Sequence, residues 1–426
     1  MSEGIAKIVY AGCVRHLLTA ALVLLLGSSA VRGQEPAPED HTTHTTPPAG
    51  SPSPWTFMHD GVLFGTFSHQ GGPRGGDEVI STNWFMGMAS RQAGPGRLTL
   101  TGMTSLERAT TGPRGYLELF QVGESFGFIP LVDRQHPHDL LMQASAAWRI
   151  PLTDRTAITF AGAPVGEASL GPGAFMHRRS AAENSMAPLS HHTLDSTHIA
   201  MGVIAVAVDR APWTFESSVF QSGEPDDNRW DLVDFGALDS WSARVWYKPS
   251  DAWEFQASHG FLENPERLEF AHVRRTTASA GWLKTGGNGF TAATFAIGRN
   301  DKEFYGTFHA ALAEATRQQK NFSLYGRLEG VQVETELIRT RGLFHSHEGI
   351  AKDLVTAATV GAVVDVPRWR RFEIGLGADV TSYVVPEPLK ATHGDRPVSF
   401  RLFLRIRPPA SSMGRMWNMR MGAPMH

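Results

Sequence analysis

Six of the 18 histidines fall between positions 136 and 198, and they come in short, dense runs. One run is Asp133-Arg134-Gln135-His136-Pro137-His138-Asp139. A second is Phe175-Met176-His177-Arg178, and a third is Ser190-His191-His192-Thr193-Leu194-Asp195-Ser196-Thr197-His198. Neutral imidazole nitrogen is a borderline ligand, so histidine beside carboxylate suits Zn, Cu or Ni. With residues 136–139 extended, His136 and His138 share one face while Asp139 points to the other. No fixed metal spacing of the His-Glu-x-x-His kind is present. The candidate ligands are therefore a set drawn from separate segments: His136, His138, His191, His192, Asp195 and His198, around a transition-metal ion such as Cu or Zn. A second reading stands beside it: these side chains, with Arg134, Arg178 and Arg179, bond one another and stiffen a plug.

Ser190 and Ser196 lie beside histidines, as a hydrolase nucleophile would. Nothing in the sequence supplies an oxyanion donor, and the chain is not read as an enzyme. Met58-His59-Asp60 and Ser68-His69 flank an early apolar segment; Asp60 suits a wet interior, where arginine can pair with it. Near the end, Met413, Met416, Met419, Met421 and Met425 form a methionine-rich tail with His426. Thioethers are soft ligands suited to Cu(I), although docking on a membrane or inside a barrel explains such a tail equally well.

The elements that must position these groups are strands. From Trp55 onward, segments of about ten residues alternate with period 2, the signature of a transmembrane barrel. Phe322, Leu324, Gly326 and Leu328 alternate with Ser323, Tyr325, Arg327 and Glu329; Phe400, Leu402, Leu404 and Ile406 alternate with Ser399, Arg401, Phe403 and Arg405. Sixteen segments are read, near 57–69, 79–91, 96–108, 139–150, 156–166, 197–209, 213–223, 239–248, 253–263, 273–284, 290–300, 308–318, 322–335, 353–366, 372–385 and 397–407; a count of 12 to 16 fits the pattern. Tight turns such as Ala93-Gly94-Pro95 and Gly286-Gly287-Asn288 take turns with longer loops, as periplasmic turns and extracellular loops do. Trp148, Trp213, Tyr247, Trp253, Trp282 and Trp369 lie in or near the tight turns, where an aromatic girdle sits at the headgroup boundary. Arg244, Lys248, Glu254, Arg327, Glu329, Arg401 and Arg405 make a lumen row of mixed sign. The two longest loops, 109–138 and 167–196, hold most of the histidine runs. They also carry Phe120, Phe126, Phe128, Ile129 and Leu131, and so are expected to be ordered and folded into the lumen.

Composition and the N-terminus agree with export. Lys7 and Arg15 precede the apolar run Leu17–Leu26, and small residues follow through Ala30 and Gly33: residues 1–33 read as a signal peptide. The single cysteine, Cys13, leaves with it, so the mature chain carries no disulfide. Residues 34–54 are a linker too poor in apolar side chains to fold, with His41 and His44; the barrel spans 55–408 and the tail 409–426. A formal net charge of -3 gives no sign of a nucleic-acid partner.

Several segments resemble an uncharacterised bacterial outer-membrane β-barrel family. They are Gly71-Gly72-Pro73-Arg74-Gly75-Gly76-Asp77-Glu78, Asp133 to Asp139, Gly171-Pro172 with Phe175 to Arg178, Ser190 to His198, Glu224-Pro225-Asp226 with Arg229-Trp230-Asp231, and Leu238-Asp239-Ser240. The resemblance covers about 57–285, and the rest only by barrel pattern. Members often carry Met/His-rich N-termini and are associated with heavy-metal, especially copper, resistance surroundings. The resemblance implies a barrel and points to metals; it assigns no activity and no residue roles. This chain departs from it in having only His41 and His44 in its linker.

The expectation is an all-β, Gram-negative outer-membrane barrel, favoured as a monomer, with lipid around it and two loops in its lumen. It would pass or bind a small solute or metal ion. A barrel-borne hydrolase and an adhesive surface protein are the alternatives.

Overall fold

A computed structural model describes residues 55–410 and Arg415, apart from 196–199, Leu232, Phe235, 343–349, the side chain of Arg368, and Arg370. The signal segment, the linker, His198 and the methionines of the tail lie outside the described residues. Among the described residues, one antiparallel sheet of seventeen segments closes on itself. Gly76–Ile80 and Asn83–Ala93 pair one after the other with Thr56–Gln70, so they share one of sixteen positions around the barrel. Closure comes from Thr56–Gln70 against Val398–Arg407, with Leu63 opposite Ile406 and His69 opposite Phe400. No helix among the described residues is long and apolar enough to cross a membrane; this barrel crosses with strands.

Alternation explains the wall. Leu324, Leu328, Leu376, Leu402 and Leu404 are exposed on the outer face, whereas Tyr325, Arg327, Glu329, Arg401 and Arg405 are buried on the inner one. An outer face of exposed Leu, Val, Ile and Phe is costly in water and suits hydrocarbon, which places the protein in the outer membrane. The aromatic row lies at the tight-turn rim: Trp213 is opposite Tyr247, with rings 4.4 Å apart, and Trp253 is opposite Trp282. Trp148 donates its indole N–H to the Ala93 carbonyl beside the first tight turn.

Three expectations change in detail. The strand placed at 96–108 ends at Thr104, because Glu107 starts a helical turn, Glu107–Thr110, and its carboxylate accepts from the Asn83 and His138 backbone N–H groups. The strand placed at 79–91 is interrupted at residues 81–82, where Thr110 Oγ1 donates to the Ser81 carbonyl. Lys248 is exposed rather than on the lumen row; the pairing register shifts between Tyr247 and Ser250.

The two long loops, described over 105–140 and 166–195, pack against buried residues of the inner wall. Leu119, Phe120 and Val132 of the first and Leu189 of the second share a core with Val331, Val333, Val355, Tyr383 and Leu389. Charges fasten both loops. Arg401 donates to Glu118 (2.7 Å) and to Asp379 (3.1 Å); Arg178 donates to Glu314 (2.7 Å); Arg405 pairs with Glu183 and Asp365. Such a pair replaces lost hydration only when both partners are present and well placed. After the last strand the chain returns to the wall: Arg415 pairs with Asp60 (2.9 Å) and with Glu373.

Candidate functional site

The first loop is built from two small hairpins. Tyr116–Leu117 pairs with Arg134–Gln135, and Ser125–Phe126 pairs with Ile129–Pro130. Asp133, at φ 58°, ties their base together: its carboxylate accepts from the Phe120 N–H (3.0 Å), His393 Nε2 (2.9 Å), Arg341 (3.0 Å) and Arg74 (3.3 Å). This fold-back sets Glu124 next to His136, twelve residues on, and Gly123 against the ring of His192.

The second loop delivers the other two imidazoles on a single helical turn, His191–Leu194. Ser190, just before it, is anchored to the wall by donating its hydroxyl to Glu329 (2.8 Å). That turn rests on Gly298, where a Cβ would come 2.6 Å from the Thr193 carbonyl oxygen; Asn300 Nδ2 donates to the His192 carbonyl (3.3 Å).

The result is a group of three. One ligand atom from each of His136, His191 and His192 lies within 4.8 Å of the others, with His136 and His191 buried. A tetrahedral ion holding nitrogens at 2.0–2.1 Å draws them to about 3.3 Å from one another. Closing that gap takes roughly 1 Å of ring movement per histidine, within reach of a small χ change.

Polar contacts orient the rings, through both nitrogens of His136 and one nitrogen of His191. His136 Nε2 lies 3.2 Å from Glu124 and its Nδ1 lies 3.3 Å from the Pro137 carbonyl; His191 Nε2 lies 3.1 Å from Gln135 Oε1. Carboxylates, backbone carbonyls and side-chain amides at an imidazole fix ring orientation and tautomer. Burial, with the His138, Arg275, Arg327 and Arg178 charges nearby, pushes His191 down to about 3, so its ring is neutral at ordinary pH, as a ligand must be. Burial, reinforced by Asp139, pushes Glu124 up to about 7 against the opposing Arg229 guanidinium.

The other expected residues fall differently. His138 stands beside His136, ring centres 6.0 Å apart, but its Nδ1 is 2.7 Å from Glu107. Burial pulls that ring down, and the Glu107 carboxylate overrides it, so the net shift is upward. Asp195 is buried beyond the helical turn, where Arg275 donates to its backbone carbonyl. His198 lies outside the described residues. Glu124 and Gly123 were not singled out from sequence. A Glu twelve residues before a histidine signals nothing until the hairpins fold. Ser190 is engaged with Glu329 rather than arranged as a nucleophile beside a base.

A second component of the inner wall was also missed. Met58, Met86, Met88 and Met103 form a buried cluster with Trp84, and Met142 and Met176 pack against it. Met86 and Met88 are two apart in one strand, so alternation puts that pair on one face; Met58 and Met103 join them only through strand register.

No protein-family model matches the chain, and no curated protein matches its sequence. Among solved structures the barrel is similar to Pseudomonas putida OprB (10% identity, 83% of this chain and 94% of that one, TM-score 0.49). It is also similar to an anion-selective porin from Comamonas acidovorans (8%, 83% and 100%, TM-score 0.47). A third is OmpT, an outer membrane protein of Vibrio cholerae (9%, 83% and 99%, TM-score 0.45). At these values the functional argument rests on this chain's own residues.

Proposed function

We propose that this protein is an outer-membrane barrel for the passage or binding of small solutes, and that transition-metal ions are among them. Convergence of His136, His191 and His192 from two loops carries the reading. Three imidazoles from two loops make a three-donor set in which a fourth position is left for solvent or cargo, and an ion would take the place of one of the two contacts that His136 makes through its nitrogens. Soft-to-borderline divalent ions, Zn(II) or Cu(II), fit this donor set. The two loops narrow a lumen that sixteen strands would otherwise leave as an aqueous channel.

A structural reading competes, favoured by the buried pairs Arg401–Glu118, Arg178–Glu314 and Arg405–Glu183, which fasten the loops whether or not an ion binds. Zn(II) retention after desalting separates the two. The folded full-length protein is expected to keep about one more equivalent than a His136→Ala/His191→Ala/His192→Ala variant, as one three-ligand site predicts. Equal retention by both proteins would leave the loops as a plug. In a planar bilayer, Zn(II) is expected to alter the conductance of the parent protein and leave that of the triple variant unchanged.

A further inference from the structure

We propose that the inner wall carries a second, soft-metal site formed by the thioethers of Met58, Met86, Met88 and Met103, with Met176 above them, taking a monovalent cation of the Cu(I) or Ag(I) class. This inference stands without the histidine site. Its basis is register. Met58 is directly opposite Met88, Met86 is directly opposite Met103, and Met86 and Met88 are two apart on the same face. Directly opposed residues hold their Cβ atoms about 4.5–5.5 Å apart and diagonal neighbours about 7–8 Å apart, so Met58 or Met103 can bring its thioether to a point shared with Met86 and Met88, giving three sulfurs to one ion.

Packing alone does not call for this composition. The two largest apolar clusters behind the loops use Ala, Val, Leu, Phe, Tyr and Ile and contain no methionine. In the Met58 cluster every buried member except Trp84 is methionine. Methionine loses more rotamer freedom on burial than Leu or Val, so a wall patch needing only volume is better served by those residues. Four sulfurs in one patch supply what Leu and Val lack, a soft donor set that favours Cu(I) over hard or borderline ions.

The surroundings fit a cation. Asp60 lies opposite Met86 and two residues from Met58 on the same face, where its carboxylate is shared with Arg415 at the edge of the patch. Met176 belongs to the second loop, and the neighbouring His177 ring meets Trp84 edge-on at 5.0 Å. A cavity of about 60 Å³ is lined by Met103, Met176 and His177 together with His136 and His138. Met103 and Met176 therefore border the same open space as His136.

Ag(I), which does not change oxidation state under these conditions, is the probe. Folded full-length protein is loaded with Ag(I), desalted, and its silver counted beside a Met58→Leu/Met86→Leu/Met88→Leu/Met103→Leu variant. Leucine nearly conserves volume, so the wall stays packed. Methionines elsewhere are common to both proteins and cancel in the difference. The variant is expected to retain about one equivalent less, and X-ray absorption of the parent protein is expected to show silver–sulfur scattering that the variant loses. The His136→Ala/His191→Ala/His192→Ala protein is expected to keep that silver while losing Zn(II), so failure of one site is distinguishable from failure of the other. Should the fourfold variant fail to fold, Met58→Leu/Met88→Leu and Met86→Leu/Met103→Leu are each expected to weaken Ag(I) binding at least tenfold. Unchanged silver retention in folded leucine variants overturns the proposal.

Discussion

Gly123 lies against the imidazole of His192: a Cβ at this position would come 2.4 Å from Nδ1 and 2.5 Å from Cε1. Its φ of 150° is one that side-chain-bearing residues rarely adopt. The absence of a side chain in the first loop therefore decides where an imidazole of the second loop can stand.

Gly123→Ala is accordingly expected to displace His192 while the barrel forms normally. Zn(II) affinity should drop by about tenfold or more, the scale on which disturbing a ligand's support acts. Heat-modifiable migration on gels, which reports barrel closure, should be unchanged. Unaltered Zn(II) affinity would show that His192 is not a ligand.

Glu124→Gln keeps the shape beside His136 and removes the ionisable carboxyl group. Loss of a carboxylate partner from a ligating histidine typically lowers metal affinity by about 10–100-fold, and that range is expected here. Competition with a chromophoric zinc chelator would measure it.

Loop anchoring is tested at Arg401, which is fully buried between Glu118 of the first loop and Asp379 of the wall. Arg401→Met leaves two carboxylates without their guanidinium. Breaking a buried pair in this way costs about 3–5 kcal/mol. The expected outcome is a lower melting temperature and a higher, noisier single-channel conductance as the first loop loosens. A quiet, unchanged channel would mean that the hairpins are held by their apolar core alone.

Stability should fall as pH rises from the acid side. Burial, with the neighbouring Glu124 and Glu266 charges, pushes Glu224 up to about 9. Burial pushes Glu266 up to about 8 against the opposing Lys302 charge, with Glu269 and Glu124 adding to the rise. Both values lie above the ordinary carboxylate range, so the folded state holds protons that the unfolded chain releases near pH 4–5. The unfolded state then binds fewer protons than the folded state, and stability declines with pH until both groups have ionised. Melting temperature is expected to decrease between pH 5 and 9, and Glu224→Gln is expected to flatten that decline. A melting temperature that rises over the same range contradicts the assignment.

The strands were legible because alternation is local. Whether Leu402 and Leu404 face out and Arg401 and Arg405 face in depends only on the two-residue period of an extended chain against a lipid boundary. All sixteen segments appear with ends shifted by a few residues, apart from the interruption at residues 81–82, and the tight-turn rim carries its tryptophans. Where local pattern met a non-local hydrogen bond it gave way, as at Glu107, whose carboxylate serves Asn83 and His138.

The site was legible only as a set of residue types. His136, His191 and His192 could be named from their density, but sequence distance does not say which of six histidines meet. That depended on two hairpins closed by Asp133, on a helical turn pressed against Gly298, and on Glu329 holding Ser190. Glu107 drew His138 aside for the same reason: a buried imidazole takes the nearest carboxylate the fold brings to it. Glu124 and the facing methionine pairs emerged only with strand register and loop folding, because contacts between distant segments are set by the packing of the whole barrel and not by any period along the chain.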